Sequence, residues 1–461
     1  MKSHDVRFWE IRPNKSVKNG KTVVRSYTVR WTVAGREKSK TFERKALAVR
    51  FLGSLVQAAN QGEPFDVETG LPESLLRKER PTLTWYAVVR KFVSANWARQ
   101  PAKTRSSIVD ALATITPALV TAEKSKPDAS LLRAALVRYA LHPPSHEGDV
   151  PAELVDPLRW LERHSLPVTE LAKAENVRRA LDAVAVTMEG RRAAATTIAR
   201  KRAVFHSVLK YVVRELKLLD SNPLHDVDWS APEIRKRVDP RVVPNPAQAR
   251  QLLSATTYVG RLNGRGRRLM PLFACMYYAA LRPGEAVGLR VTDCHLPEEG
   301  WGRLTVVKNR PQAGKRYTDS GESHDDKGTK RRGEDEVRPI PIPPVLVRIL
   351  RDHVKEFGTA PDGRLFATST GKLVASSSYW RVWDQARMIG LSPEQAASPL
   401  AHRPYDLRHA AITTWLNAGV PAPEIARRVG HSEEVLWKVY AGCLDGDEMR
   451  INRLIETALA A

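Results

Sequence analysis

Arg403-Pro404-Tyr405-Asp406-Leu407-Arg408-His409-Ala410, then Gly430-His431-Ser432, then Val435-Leu436-Trp437-Lys438-Val439-Tyr440: these three runs decide how the chain folds and what chemistry it can do. Helical spacing continues from Arg408 to Leu416, and Asn417-Ala418-Gly419 ends it. A second short helix over 423–429 is closed by Gly430, and a third carries Tyr440 near its end. Residues 447–460 have the pattern of a terminal helix. Tyrosine is a weak nucleophile at neutral pH, since its reference pKa is about 10. Arginines and histidines around it make it credible against a phosphodiester. Attack at phosphorus concentrates negative charge on the nonbridging oxygens, which permanently charged, planar guanidinium groups can grip in pairs.

Working outward, a helix is expected over 247–255 and a strongly apolar, buried one over 269–280. The latter runs into Leu281-Arg282-Pro283-Gly284-Glu285. An arginine at the end of a buried helix is costly unless it is paired or functional. Its structural explanation would be a capping arginine paired with Glu285. Residues 301–308 and 337–342 read as the two strands of a long hairpin whose connection, 311–335, is polar, basic and glycine-bearing. Lys327 and Lys330 lie just before the return strand, where a lysine could protonate a leaving oxygen or simply be solvated.

The front of the chain has a different texture. Residues 6–12, 22–33 and 38–42 are rich in β-branched and aromatic residues and predict three antiparallel strands, followed by a helix over 43–59. Trp9, Tyr27 and Trp31 suit a small core, while Arg25, Arg30, Lys38 and Lys40 suit contact with a polyanion. After a proline-marked linker, residues 82–225 read mainly as helices, at about 85–92, 104–113, 127–141, 158–163, 172–188 and 196–218. Lys103 and Arg105 stand near the start of one of them, and Arg200, Lys201 and Arg202 near the start of the longest, where phosphate contact competes with plain solvation. Residues 225–246, with four prolines, form an extended linker.

A formal charge of +23 over 461 residues makes a nucleic acid the simplest partner. Three cysteines without metal-ligand spacing argue against a disulfide framework and fit a reducing cytosol. The chain has no apolar run long enough to span a membrane and no glycine-rich nucleotide loop, so neither a membrane nor a cofactor is expected, and a cytoplasmic location is.

Leu281-Arg282-Pro283-Gly284-Glu285, Tyr405-Asp406-Leu407-Arg408-His409, Gly430-His431 and Tyr440 resemble, in order and spacing, the catalytic motifs of the tyrosine recombinases, the phage-integrase family. The layout is similar to integrases of actinobacterial phages and integrative elements. The resemblance implies a multidomain, mainly α protein: a βββα arm-site DNA-binding domain over 1–65, a helical core-binding domain over 80–225, and a mixed α/β catalytic domain over 246–461. It implies two catalytic arginines at Arg282 and Arg408, a histidine at His431, the nucleophile at Tyr440 and a general-acid lysine at Lys330, with Lys327 as the alternate. Relatives usually carry a histidine where this chain has Tyr405, and a tyrosine is a poor base at pH 7. His409 matches a separate histidine that commonly follows the second arginine. The implied activity is DNA cleavage and rejoining through a 3′-phosphotyrosyl bond, without ATP or metal, for integration and excision of a mobile element. Implied partners are double-stranded attachment sites, a homo-tetramer on DNA and a directionality factor. An architectural DNA-binding protein with a decayed site, or a type IB-like topoisomerase, are the competing readings.

Overall fold

The computed structural model describes residues 2–18, 21–79, 83–121, 125–143, 150–234, 237–260, 264–307, 312–325, 337–443 and 448–460. Its regular structure gathers around separate buried clusters rather than one continuous core.

The first cluster lies under a small sheet. Strands β1 (Lys2–Ser3), β2 (Val6–Phe8), β3 (Arg12–Lys18), β4 (Lys21–Val33) and β5 (Arg36–Phe42) precede helix α1 (Lys45–Asn60), strand β6 (Phe65–Asp66) and helix α2 (Glu73–Glu79). The long β4 pairs antiparallel with β2 and β3 along one edge and β5 along the other, while β1 pairs with β6. Alternation along β4 sends Val29, Trp31 and Val33 inward against Ala48, Leu55 and Ala58 of α1. Strand β3 was not expected, because its sequence, Arg-Pro-Asn-Lys-Ser-Val-Lys, is polar. It forms because β4 is long enough to template an edge partner, and Pro13 is tolerated on an edge.

Helices α3 (Trp85–Asn96), α4 (Ala102–Ile115), α5 (Ala129–Ala135), α6 (Ala152–His164), α7 (Ala174–Ala185) and α8 (Ala195–Arg214) surround the second cluster. The Thr84 side chain caps α3 by accepting from the Ala87 amide at 3.2 Å. Trp85 meets Phe205 of α8 edge to face, ring centres 5.5 Å apart, which ties the first helix of this group to the last. The described residues between 225 and 245 lie outside any strand or α-helix, yet they are tied to the rest: Val238 donates to the Val439 carbonyl at 2.9 Å, and Val242 accepts from the Ala401 amide at 2.9 Å.

The third and largest cluster is built by α9 (Pro246–Thr256), α10 (Arg265–Tyr278), α11 (Pro283–Gly288), α12 (Pro344–Phe357), α13 (Ser376–Gly390) and α14 (Pro393–Ala397), with a sheet of β7 (Cys294–His295), β8 (Gly302–Val306) and β9 (Arg338–Ile342). Between 343 and 402, where the sequence pattern gave no element, α12 and α13 supply Leu346, Leu350, Val382 and Trp383 to this core. Helices α15 (Asp406–Asn417), α16 (Ala422–Val429) and α17 (Glu433–Tyr440) pack on it through a fourth cluster, and α18 (Glu448–Leu459) follows. Within the connection between β8 and β9, Gln312 bridges His324, and Lys315–Tyr317 forms a tight turn. Lys327 and Lys330 fall outside the described residues.

Candidate active site

The site grows from the end of α10. Ala280 takes a left-handed backbone (φ 50°), unusual for a residue with a Cβ and costing on the order of 1 kcal/mol. The turn it makes aims its carbonyl at Arg408 and delivers Arg282 to the start of α11. Pro283 sits at the first helical position, where a missing N–H costs nothing. Glu285 caps that turn: one carboxylate oxygen accepts from the Arg282 amide at 2.8 Å, the other from the Arg282 guanidinium at 2.8 Å. The capping pair expected as the structural explanation of Arg282 is therefore present. It also holds the guanidinium in place beside two more arginines. The Glu285 carboxylate pairs with Arg338 of β9 at 2.8 Å and lies 3.9 Å from Arg408. Burial alone would push this carboxyl up, but Arg338, Arg408 and Arg282 together hold it below its usual range.

Arg408, in the first turn of α15, is wholly buried. It donates to the Ala280 carbonyl, to the Val429 carbonyl at 2.8 Å, and to Nε2 of His431 at 3.2 Å. An arginine cannot accept, so Nε2 of His431 must, and the proton of the neutral ring sits on Nδ1. Burial, then Arg408 and Arg282, hold His431 down at about 3, so the ring is neutral. Arg408 Nε and His431 Nδ1 are both buried donors without a protein partner. Such groups are costly unless an acceptor reaches them. Gly430 makes the geometry possible. Its φ of 65° closes α16, its carbonyl accepts from Arg282 at 3.2 Å, and a Cβ there would collide with the Arg338 guanidinium. Of the three arginines Arg282 is the most open, its side chain 30% exposed against 7% for Arg338 and 0% for Arg408, so an incoming anion meets it first.

Tyr440 ends α17, which starts with the Ser432 side chain capping the Val435 amide at 3.3 Å. Its ring is buried with Ile412, Ile425, Val429 and Leu436, and burial pushes the phenol well above its usual range. Its hydroxyl is 2.9 Å from Nδ1 of His409. Tyr405 stands edge to face against His409, ring centres 5.1 Å apart. Burial, with Arg403 and Arg408 nearby, lowers His409 to about 4.

A curated tyrosine recombinase from Pseudothermotoga lettingae is 22% identical to the chain over 262 residues, spanning 57% of this chain and 76% of that protein. The chain is thus similar to a tyrosine recombinase over more than half of its length. No family model matches it. Among solved structures, the chain is similar to the Tn1549 transposon integrase in complex with a circular intermediate DNA (16% identity, 67% of this chain, 95% of that one, TM-score 0.46). It is also similar to a lambda integrase dimer bound to a core site (11%, 76% and 96%, TM-score 0.43).

The basic residues singled out from sequence divide into two groups. Arg30 and Arg25 are exposed, Arg25 as the extra residue where the β3–β4 register shifts, a bulge that re-aims its side chain. Lys38 and Lys40 are not on that open face. They lie opposite Trp31 and Val29, on the side covered by α1, where Lys38 donates to the Glu68 carbonyl and Lys40 sits 5.1 Å over the Phe51 ring. Lys103 is exposed beside a groove that Arg200, Lys210 and Arg214 also line. Arg105 and Lys201 are corrections. Arg105 is buried, bound to Asp319 at 2.6 and 3.1 Å and to the Tyr317 and Trp97 carbonyls at 2.8 Å, so it clasps the β8–β9 connection instead of facing solvent. Lys201 is buried against Thr114 at 2.8 Å, Arg200 is spent on Asp110 at 2.7 Å, and Arg202 is half-buried. Helical spacing was the signal for both corrections: Arg105 shares a face with Val109 and Leu112, and Lys201 with Ile198, Phe205 and Val208. Sequence reasoning also missed Arg338, whose partner Glu285 it had weighed only as a cap.

Proposed function

We propose that this protein cuts and rejoins DNA at specific sites through a covalent 3′-phosphotyrosyl bond at Tyr440, for integration and excision of a mobile element. One observation carries the reading. Arg282 and Arg408 flank the buried Glu285 carboxylate, His431 bonds to Arg408, Tyr440 bonds to His409 one residue beyond Arg408, and two buried N–H donors still need an acceptor. A phosphodiester supplies such acceptors. Arg282 and Arg408 would grip its nonbridging oxygens, and His431 would donate from Nδ1, countering the charge that builds as the tyrosine oxygen attacks. The 5′-oxygen leaves and takes a proton, for which the family resemblance points to Lys330. The covalent ester keeps the energy of the broken bond, so rejoining needs no ATP.

The arm-site, core-binding and catalytic assignments of 1–65, 80–225 and 246–461 belong to this proposal. So does phosphate contact by Arg25, Arg30 and Lys103, the last beside the groove edged by Lys210 and Arg214. Support for it comes from the net charge of +23 and from the similarity to a curated tyrosine recombinase. A homo-tetramer on DNA, a directionality factor, a phage origin and a cytoplasmic location are likewise proposed. Among the described residues no helix is long and apolar enough to cross a membrane. The test is recombination between two plasmid-borne copies of the element's junction sequences. The parent protein should produce recombinant product and the Tyr440→Phe variant none. Product from Tyr440→Phe would overturn the reading.

A further inference from the structure

We propose that His409 accepts the proton of the Tyr440 hydroxyl during attack on the phosphodiester, filling the role left open by Tyr405. The inference rests on the recombinase reading above and assigns the base within it. The family pattern would keep His409 out of this role; the contact geometry puts it there.

Nδ1 of His409 lies 2.9 Å from the Tyr440 oxygen, within reach for direct transfer of the phenolic proton. The imidazole is held from two sides, by the Tyr405 ring edge to face at 5.1 Å and by the Tyr440 ring at 5.5 Å. Its position one residue after Arg408 on α15 keeps the proton acceptor in fixed register with the arginine that would hold the phosphate. Tyr405 cannot take this part, because a neutral phenol is a poor acceptor of a proton at pH 7.

The charged and titratable groups acting on His409 are Arg403 and Arg408, with Tyr405 and Tyr440 against its ring. With no anion bound, burial and the two arginines keep the ring neutral, so its lone pair is available. A bound phosphodiester brings negative charge close to Arg408 and offsets the field that opposes protonation. That charge grows as attack proceeds, so the basicity of His409 rises as the phenol gives up its proton. The step balances. The Tyr440 O–H bond breaks and its proton goes to Nδ1. The tyrosine oxygen bonds to phosphorus, and the P–O5′ bond breaks, with O5′ protonated by the general acid. On rejoining, the 5′-hydroxyl returns its proton to the general acid's conjugate base and attacks phosphorus, the P–O bond to Tyr440 breaks, the departing tyrosine oxygen recovers the proton from His409, and no proton is gained or lost over the cycle.

The test uses the full chain in single-turnover cleavage of a nicked duplex carrying the element's junction sequence. His409→Ala and His409→Asn should each slow adduct formation by about 100-fold or more, with DNA binding in a gel shift unchanged. Asparagine can still accept the Tyr440 hydrogen bond but cannot hold the proton, so its defect separates proton transfer from positioning. Added imidazole should restore cleavage to His409→Ala, as should Tyr405→His introduced in the same chain. Cleavage by His409→Asn within about threefold of the parent would overturn the inference. A slow His409→Ala that neither imidazole nor Tyr405→His improves would also overturn it, leaving only a latch on the tyrosine. Absence of adduct from the parent protein would instead overturn the recombinase reading itself.

Discussion

Removing the charge of Glu285 tests whether one buried carboxylate organises the site. Its side chain is 2% exposed, and it makes 2.8 Å contacts with Arg282 and Arg338 and a 3.9 Å approach to Arg408. Glu285→Gln keeps the shape and removes the charge, leaving three arginines without their common counter-ion. Breaking a buried ion pair from one side costs about 3–5 kcal/mol. For a unit of some two hundred residues each kcal/mol is worth about 2–4 °C, so the melting transition of the C-terminal half should fall by about 6–20 °C. Glu298→Gln is the control. Its partner Arg351 lies 3.2 Å away, but the Glu298 side chain is 88% exposed, and such pairs contribute about 0–1 kcal/mol. Scanning calorimetry of the parent and both variants at pH 7 makes the comparison. Acid should erase the difference. The folded Glu285 pKa is depressed, so its contribution is present above the unfolded value near 4.5 and is lost as pH falls through the folded value. A Glu285→Gln melt within about 1 °C of the parent at pH 7 would refute the claim that the carboxylate holds the cluster.

His409 and His431 are held neutral down to about 4 and about 3, so between 6.5 and those values only the unfolded chain takes up protons. Stability must therefore fall as pH falls in that window, by about 2 kcal/mol for His409 between pH 7 and pH 5 and by less for the more open, solvent-screened His431, measurable as a lower urea midpoint that His409→Asn partly removes. Gly430→Ala forces a left-handed alanine and displaces the Arg338 guanidinium, so it should cost about 1–2 kcal/mol in the same assay and abolish cleavage while sparing DNA binding. Arg105→Ala should destabilise the helical bundle by about 1–3 kcal/mol and speed hydrogen exchange at the Tyr317 amide, because the clasp on the β8–β9 connection is lost; unchanged exchange would mean the clasp does not hold in solution.

Much of this was legible because the chain obeys simple periodicities. The apolar run before Arg282 and the apolar face of α8 are buried as their spacing implies. The motif residues Arg282, Arg408, His431 and Tyr440, far apart in sequence, come together because α15, α16 and α17 share one small cluster with Ala280, whose turn delivers Arg282. What could not be read is what depends on pairing across the sequence. Strand β3 exists only because β4 extends past β2. Lys38 and Lys40 face the helix because register, not composition, decides which side of a strand is covered. Arg105 and Lys201 look like surface charge until their helical faces are drawn. The Glu285 hub needs Arg338 from a strand more than fifty residues away, and nothing local in Arg338-Pro339-Ile340 announces it.

The central claim is that Tyr440 becomes covalently joined to DNA. Peptide mapping by mass spectrometry of the adduct trapped on a nicked junction duplex tests it most directly. The expected result is a nucleotide attached through its 3′-phosphate to the peptide containing Tyr440. Attachment at another residue, or through a 5′-phosphate, would contradict the account.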